Sequence, residues 1–439
     1  MSKHRLRLNM IVVLVLCSLT LMSSARVDAN DATPVASPIA SPTALEDWPS
    51  WVEIGPSNMI IARSVRPESC PVITIDGAGG SMNIRALPTD NHPNIVCETT
   101  VPSGASTVSI DGKVMPLPDP DPQRIAVIGD TGCRLKAPDE FQACNDPAEW
   151  PFASIATSAA SWDPDLVIHV GDYIYREFPC PDGNAGCAGS PHGDNWDTWK
   201  ADFFQPSAPL LDAAPWVLVR GNHEDCSREG MGWFRYLDPT PMPQACEPYT
   251  EPYTLTIGNV HAVVLDVASA QDTKPTEDVT EAFKPIFERA LALAADGPTW
   301  LLTHRPMWSI GAGGTGEPVE WSTATYDQAG FSQQSEAFDL VIAGHVHMSQ
   351  LLWFTSESER APQLIAGDGG TELEDMSTGL FDGSTLDDPD LVQGWRWQEF
   401  GYMTIQPVDH GFVTGVRLLD ESSPATCLSV GRELTCLTG

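Results

Sequence analysis

The sequence contains few basic residues for its length. Only 24 Lys and Arg stand against 59 Asp and Glu in 439 residues, so the formal net charge is −35 at pH 7. A field of this sign repels the phosphate backbone of nucleic acids and the anionic surface of membranes. We therefore expect no nucleic-acid partner, and we interpret the acidic excess as a solvated surface that keeps the protein soluble.

The cysteines include no CxxC pair, the spacing that is typical of structural zinc sites. Of 11 cysteines, Cys17 lies in an apolar N-terminal segment, and the remaining even number suits disulfides in an oxidising compartment. The sequence leaves the connectivity open. The simplest pairing joins neighbours in chain order: Cys70–Cys97, Cys133–Cys144, Cys180–Cys187, Cys226–Cys246 and Cys427–Cys436.

Long apolar runs are also scarce. The run from Met10 to Met22 follows three basic residues and is too short for a comfortable membrane span. It predicts a signal peptide over residues 1–29, with cleavage after Ala25 or after Ala29; a retained anchor is the alternative. No later segment is long and apolar enough to span a membrane. We therefore expect a secreted, periplasmic or extracellular protein with no stable membrane association after signal removal.

Composition divides the rest of the chain into four segments. Residues 30–47 are rich in Pro, Ser and Ala and are predicted to be a linker. Residues 48–121 contain short β-rich runs between turn signals, which predict a small sandwich-like β domain whose role the sequence does not reveal. Residues 122–421 are predicted to form one large domain, and residues 422–439 a C-terminal tail closed by a disulfide.

In the large domain, buried strands end in polar loops. Runs such as RIAVIGD, DLVIHVGD and WVLVRGNHE are a few apolar residues followed by polar side chains. Such strands must be covered on both faces, and the helix-compatible segments from Trp150 to Ala160 and from Val279 to Ala295 supply cover. The pattern predicts an α/β sandwich in which the strand-end side chains converge in one crevice.

The side chains at these strand ends are typical metal ligands. They form a mixed set of carboxylates, imidazoles, an amide and a phenol, which suits two hard or borderline metal ions. Each has an ordinary structural explanation when taken alone, such as a helix cap or a hydrogen-bonded histidine. The whole set in this order favours a metal site. Its members are Asp130 in GDTG, Asp172 and Tyr175 in GDYIY, Asn222 and His223 in GNHE, His304 in LLTH, and His345 and His347 in GHVH.

The order DxG, GDxxY, GNHE, xxxH, GHxH resembles the purple acid phosphatases within the calcineurin-like metallophosphoesterase superfamily, over roughly residues 125–348. Most calcineurin-like phosphoesterases carry DxH at the first motif, whereas this chain has Gly132 there and a tyrosine, Tyr175, in GDxxY. The resemblance implies a four-layer α-β-β-α sandwich, preceded here by the small β-rich domain, with residues 122–421 as its catalytic domain.

The resemblance also implies two metal sites. Asp130, Tyr175 and His347 would hold Fe(III), and Asp172 would bridge to the second ion. The ligands of that divalent ion, which would be Zn, Fe or Mn, are implied to be Asn222, His304 and His345. Three anionic ligands against charges of +3 and +2 leave a local positive charge that attracts a phosphate.

The function implied is hydrolysis of small phosphomonoesters by a metal-bound hydroxide, with His223 as candidate general acid. A purely structural role for His223 is the alternative. Arg134 and Arg305 are weaker candidates for holding phosphate oxygens, and Asp368 is a candidate for orienting a ligand histidine. Phosphodiester or nucleotide hydrolysis by the same site, and a non-catalytic extracellular binding module, remain the alternatives. The sequence does not reveal the oligomeric state.

Overall fold

The computed structural model of the protein describes residues 48–136, 140–294, 296–312, 317–376 and 378–438. The predicted signal peptide and linker lie outside these residues and stay predictions. The described part from Trp48 onward forms one compact unit. Among the described helices, none has the length and apolar character that crossing a membrane requires.

The described residues are mostly β-structure. The strands, in chain order, are β1 (Ser50–Gly55), β2 (Met59–Arg66), β3 (Val72–Ile75), β4 (Ala78–Ser81), β5 (Asn83–Ala86), β6 (Ile95–Val101), β7 (Val108–Ile110), β8 (Lys113–Met115), β9 (Ile125–Ile128), β10 (Leu135–Lys136), β11 (Glu140–Phe141), β12 (Leu166–His169), β13 (Trp216–Leu218), β14 (Tyr253–Ile257), β15 (Val260–Leu265), β16 (Thr299–Thr303), β17 (Trp308–Ala312), β18 (Pro318–Ser322), β19 (Leu340–Ala343), β20 (Ser349–Phe354), β21 (Gln363–Ala366), β22 (Gly379–Phe381), β23 (Leu391–Trp397), β24 (Gly401–Val408), β25 (Gly411–Leu418), β26 (Ala425–Val430) and β27 (Glu433–Thr438).

The α-helices are fewer and short, apart from one of 16 residues. They are α1 (Phe152–Ser161), α2 (Trp196–Trp199), α3 (Ala208–Ala213), α4 (Gly230–Tyr236), α5 (Glu277–Ala292), α6 (Ala324–Gln328) and α7 (Gly383–Leu386). The two helices predicted from sequence correspond to α1 and α5.

Two large sheets form the centre of the molecule. The first has the order β27-β26-β25-β24-β9-β12-β13-β1-β2-β6-β5, and the second has the order β14-β15-β16-β19-β21-β20-β23-β22. Strands β9, β12 and β13 run parallel in the first sheet, as do β15, β16, β19 and β21 in the second. The carboxyl ends of parallel neighbours meet at one edge of a sheet, which places their loops together.

The strands alternate their side chains between two cores. In β9, Ile125 and Val127 pack between the sheets, whereas Ala126 and Ile128 pack on the outer face with α1 to α4. In β16, Leu302 faces the same inter-sheet core, and Leu301 faces outward toward α5 and α6. This alternation follows from the two-residue period of a strand. The central strands of both sheets are therefore buried on both faces, and the predicted four-layer α-β-β-α sandwich is confirmed.

The β-rich segment predicted at residues 48–121 extends the first sheet. Strand β1 pairs in parallel with β13 through Glu53 and Trp216, and β2, β6 and β5 continue the sheet outward. The remaining strands form a small sheet of order β4-β3-β7-β8. The segment is thus rich in β-structure, but four of its strands belong to the sheet that carries the site rather than to a detached module.

Five disulfides join neighbouring cysteines in chain order, as the simplest pairing predicted. Cys427 and Cys436 lie directly opposite each other on β26 and β27, so the predicted C-terminal tail is an edge hairpin of the first sheet. The loop at residues 178–196, closed by Cys180–Cys187, packs beside Cys133–Cys144 and the side chain of Trp150.

Candidate metal centre

Each predicted ligand follows the carboxyl end of a parallel strand. Asp130 follows β9, the GDYIY residues follow β12, and the GNHE residues follow β13 in the first sheet. His304 follows β16, and the GHVH histidines follow β19 in the second sheet. The structure brings all of them to one place between the two sheets.

The backbone at three predicted ligands lies in the left-handed region. Asp130, Asp172 and His345 have φ angles of 54°, 59° and 74°. For a residue other than glycine this conformation costs about 1–2 kcal/mol, and such strain is concentrated at functional sites. The preceding glycines permit the close packing: a Cβ on Gly171 would lie 2.5 Å from His304 Nδ1, and one on Gly344 would lie 2.6 Å from Asp130 Oδ2.

The first group of ligand atoms surrounds the Tyr175 hydroxyl. This oxygen lies 3.0 Å from Asp130 Oδ1, 2.6 Å from Asp172 Oδ2 and 2.8 Å from His347 Nε2. All four side chains are buried. His347 Nδ1 donates to the main-chain oxygen of Glu372 at 3.0 Å, so the lone pair of Nε2 is directed toward the other three residues.

The second group lies next to the first. His304 Nε2 lies 3.0 Å from Asn222 Oδ1 and 3.1 Å from Asp172 Oδ2, while its Nδ1 donates to the Val170 carbonyl oxygen at 2.7 Å. A ring nitrogen of His345 completes a cluster with Asp172 and His304 whose atoms all lie within 4.8 Å of one another. Asp172 Oδ2 therefore takes part in both groups, which is the position of a bridging ligand.

The electrostatics of these groups fit bound cations. Burial and the neighbouring Asp172 carboxylate raise the pKa of Asp130 and of the Tyr175 phenol. Burial and nearby arginines lower the pKa of His345 to about 4 and that of His347 to about 3, which keeps both imidazoles in the neutral, metal-binding form. The donor set and its charge thus fit two metal ions.

His223 lies at the edge of the cluster. Its ring packs against the Tyr175 ring with centroids 3.7 Å apart, and its Nε2 is 3.9 Å from Asp172 Oδ2. Its Nδ1 is 2.6 Å from Glu177 Oε1, and the same Glu177 oxygen accepts a hydrogen bond from Arg228 at 3.2 Å. The two contacts hold the imidazole beside the metal ligands without making it a member of either group.

The cluster opens into a cavity of about 670 Å³. One part of its wall is cationic, with Arg134, Lys136 and Arg228, and another part is apolar, with Trp321 and Met376. No residue of the 178–196 loop lines this cavity within the described chain.

Comparison with known proteins agrees with this geometry. The family model described as Calcineurin-like phosphoesterase matches residues 123–349, just over half of the chain. The chain belongs to this family. The match contains every ligand motif from Asp130 to His347, so the family predicted from the motif order is confirmed.

Individual relatives of this calcineurin-like phosphoesterase are distant. Purple acid phosphatase 23 from Arabidopsis thaliana is 24% identical over 301 residues, which cover 62% of this chain and 58% of that protein. The solved structure of PhoD has a TM-score of 0.59 and 12% identity, covering 89% of this chain and 91% of that one. Purple acid phosphatase PPD1 from yellow lupin (Lupinus luteus) seeds has a TM-score of 0.55 and 13% identity, covering 89% and 74%. At these identities the two structures show the shared fold.

Three carboxylates that support the phosphoesterase site were not predicted from the sequence. Glu224, the last residue of GNHE, accepts four backbone N–H groups at 2.8–3.1 Å, those of Gly221, Asp172, Tyr173 and Ile174. Glu224 belongs to the GNHE motif, but no role was predicted for it. No local sequence pattern distinguishes Glu177 or Asp272, because single acidic residues are common in loops.

The prediction that Asp368 orients a ligand histidine is not confirmed. The acceptors beside the ligand imidazoles are the Val170 and Glu372 carbonyl oxygens and the Asp272 carboxylate. Arg305 is also less available for phosphate than predicted, because its Nη1 contacts both Asp272 and His345 Nε2.

Proposed function

We propose that this chain is a purple acid phosphatase-like enzyme that hydrolyses small phosphomonoesters in the periplasm or outside the cell. The observation that carries the proposal is the shared oxygen of Asp172, which lies 2.6 Å from the Tyr175 hydroxyl and 3.1 Å from His304 Nε2. Two adjacent ligand sets that share one carboxylate are what a two-metal hydrolase needs. The five disulfides support an oxidising compartment.

The proposed ligand assignment follows the two groups. Asp130, Tyr175 and His347 would hold Fe(III), and Asn222, His304 and His345 would hold a divalent ion of Zn, Fe or Mn, with Asp172 between them. Two such cations, when bound, supply Lewis-acid activation of a water and neutralise phosphoryl charge. A phenolate at Tyr175 is what distinguishes the first set from the DxH type of phosphoesterase.

The residues around the ligands would position the substrate and handle a proton. His223 has its Nδ1 held by Glu177, which leaves Nε2 for the oxygen of the leaving alcohol. Burial lowers the pKa of His223, and the Asp172 and Glu177 carboxylates oppose that shift, because an opposite charge at this distance stabilises the imidazolium. Arg134 and Lys136 supply positive charge at the cavity wall for the phosphate, in a chain that is otherwise strongly acidic.

A panel of substrates tests this proposal. Purified protein, loaded in turn with Fe, Zn and Mn, is assayed with p-nitrophenyl phosphate and with bis-p-nitrophenyl phosphate across pH. We expect the monoester to be the better substrate, and we expect His304→Ala to lose nearly all activity together with one metal equivalent. A wild type that holds two metals and hydrolyses neither ester would contradict the proposal and favour a non-catalytic role.

One observation favours the diester alternative. A second cavity of about 560 Å³ adjoins the first through four shared residues, Arg228, Asp272, Thr273 and Arg305. A cleft of two compartments has room for groups on both sides of a phosphorus atom. Faster turnover of the bis ester in the same panel would establish this alternative and would keep the metal assignment.

A further inference from the structure

Each of the three ligand histidines uses one ring nitrogen to bond an acceptor outside the metal groups. For His304 and His347 the acceptor is a neutral main-chain oxygen, at 2.7 and 3.0 Å. For His345 it is a carboxylate: Nε2 lies 3.1 Å from Asp272 Oδ2. Such acceptors fix which nitrogen carries the proton, and a charged acceptor also makes the ring a stronger base.

We propose that Asp272 is a positioning residue for the second metal site. It holds His345 with the proton on Nε2 and directs the Nδ1 lone pair toward Asp172 and His304, and it thereby sets the affinity of the divalent ion. This inference rests on the two-metal site of the proposed function. It adds a residue from the loop after β15, a loop that contributes no ligand and lies outside all the ligand motifs.

Asp272 is fixed in place from two directions. Its carboxylate is paired with Arg305, which is 5% exposed and directly follows the ligand His304. Its main-chain oxygen accepts a hydrogen bond of 3.1 Å from the Ala324 N–H at the start of α6. The side chain of Asp272 is about one-third exposed, yet neither its backbone nor its carboxylate is free to move away from His345.

The geometry also explains the role of Arg305. Its Nη1 lies 3.0 Å from His345 Nε2 while it pairs with Asp272. The Arg305 N–H and a protonated His345 Nε2 are both hydrogen-bond donors, so each needs an acceptor. The Asp272 carboxylate contacts both and supplies that acceptor. Arg305 therefore restrains the carboxylate, and the carboxylate restrains the imidazole.

The test measures metal affinity without substrate. Wild type, Asp272→Asn and Asp272→Ala are stripped of metal, reloaded with iron, and titrated with Zn²⁺ against a competing chelating dye. We expect Zn²⁺ to bind about 10-fold more weakly to Asp272→Asn, which keeps an uncharged acceptor, and up to about 100-fold more weakly to Asp272→Ala. Iron content should not change.

Asp225→Asn is the matched control, because Asp225 also pairs with an arginine beside this cleft, with Arg228 Nη2 at 3.3 Å, but contacts no ligand histidine. Its Zn²⁺ affinity should equal that of wild type. Equal Zn²⁺ affinity in wild type and Asp272→Asn would overturn the inference and leave Asp272 a simple partner of Arg305. Loss of iron as well as zinc in Asp272→Asn would overturn it in favour of a general structural role. A wild type that binds one metal equivalent would overturn the two-metal proposal itself.

Discussion

Glu224 joins the GDYIY and GNHE loops through four hydrogen bonds, and its replacement by glutamine tests whether its charge contributes. One carboxylate oxygen accepts the N–H groups of Tyr173 and Ile174, and the other accepts those of Asp172 and Gly221. Burial beside Asp172 raises the pKa of Glu224, whereas the four donors, and cations bound at Asp172, favour the ionised form. A glutamine keeps one acceptor oxygen and turns an amide N–H toward the other pair of donors.

The expected loss of stability is large for a substitution that keeps the size and shape of the side chain. Two hydrogen bonds to a charged acceptor, each of about 1.5–3 kcal/mol, are lost, so the free energy of unfolding should fall by about 3–6 kcal/mol. An unfolding entropy of about 2.1 cal/mol/K per residue, over roughly 390 residues, converts this into a fall in Tm of about 4–7 °C. Since one of the lost bonds involves Asp172 or its neighbours, metal content should fall as well.

Calorimetry of metal-loaded wild type and Glu224→Gln provides the measurement, and Glu229→Gln is the control. Glu229 is also buried, but its Oε2 has no hydrogen-bond partner among the described residues, and burial and the Glu177 charge raise its pKa well above the usual range. Glutamine is close to isosteric with that neutral acid, so Tm should move by about 1 °C or less. An unchanged Tm in Glu224→Gln would refute the role of its charge.

Three further predictions follow from the proposed site. If the protein as isolated holds Fe(III), charge transfer from the Tyr175 phenolate should give it a visible absorption band. Tyr175→Phe should lose this band. Tyr173→Phe should keep it, because the Tyr173 hydroxyl donates to the Val219 carbonyl oxygen instead. His223→Ala should lower kcat by roughly 10² to 10⁴ for alkyl phosphates and much less for p-nitrophenyl phosphate, with metal content intact; equal losses would indicate that His223 does not protonate the leaving group. Trp321→Ala should lower kcat/KM for aryl phosphates roughly 3- to 10-fold and leave kcat/KM for glycerol phosphate unchanged, and Trp321→Phe should restore most of the loss. An equal loss with both substrates would indicate that Trp321 has a structural role only.

The fold class and the proposed ligand set could be predicted from the sequence because both depend on short local patterns. A buried strand followed within a few residues by a polar loop identifies Asp130 or His304 without knowledge of any distant residue, and the cysteines paired in chain order for the same reason. The supporting residues could not be found this way. Asp272 reaches His345 across 73 positions of sequence only because β15, β16 and β19 are neighbours in one sheet.

The N-terminal β-rich segment illustrates a second limit. Its composition showed short strands, but the partner of its first strand could not be read from composition. Glu53 pairs with Trp216 because β1 continues the parallel edge of the first sheet, and that pairing depends on the register of strands far apart in the chain. Local patterns therefore predicted that residues 48–121 form β-strands, but they did not predict that these strands extend the first sheet.

The shared carboxylate of Asp172 has a thermodynamic consequence. Of the proposed ligands, Asp130, Asp172, Tyr175 and Asn222 come from the first sheet, and His304, His345 and His347 come from the second. Under the proposed assignment, ion binding and the docking of the two sheets are linked equilibria. Any ligand that binds only the assembled form stabilises it, by about 2.7 kcal/mol at 100 times its Kd. The proposed metal centre would thus also be a cross-link through the middle of the sandwich, and any shift of one sheet against the other would change the affinity for metal.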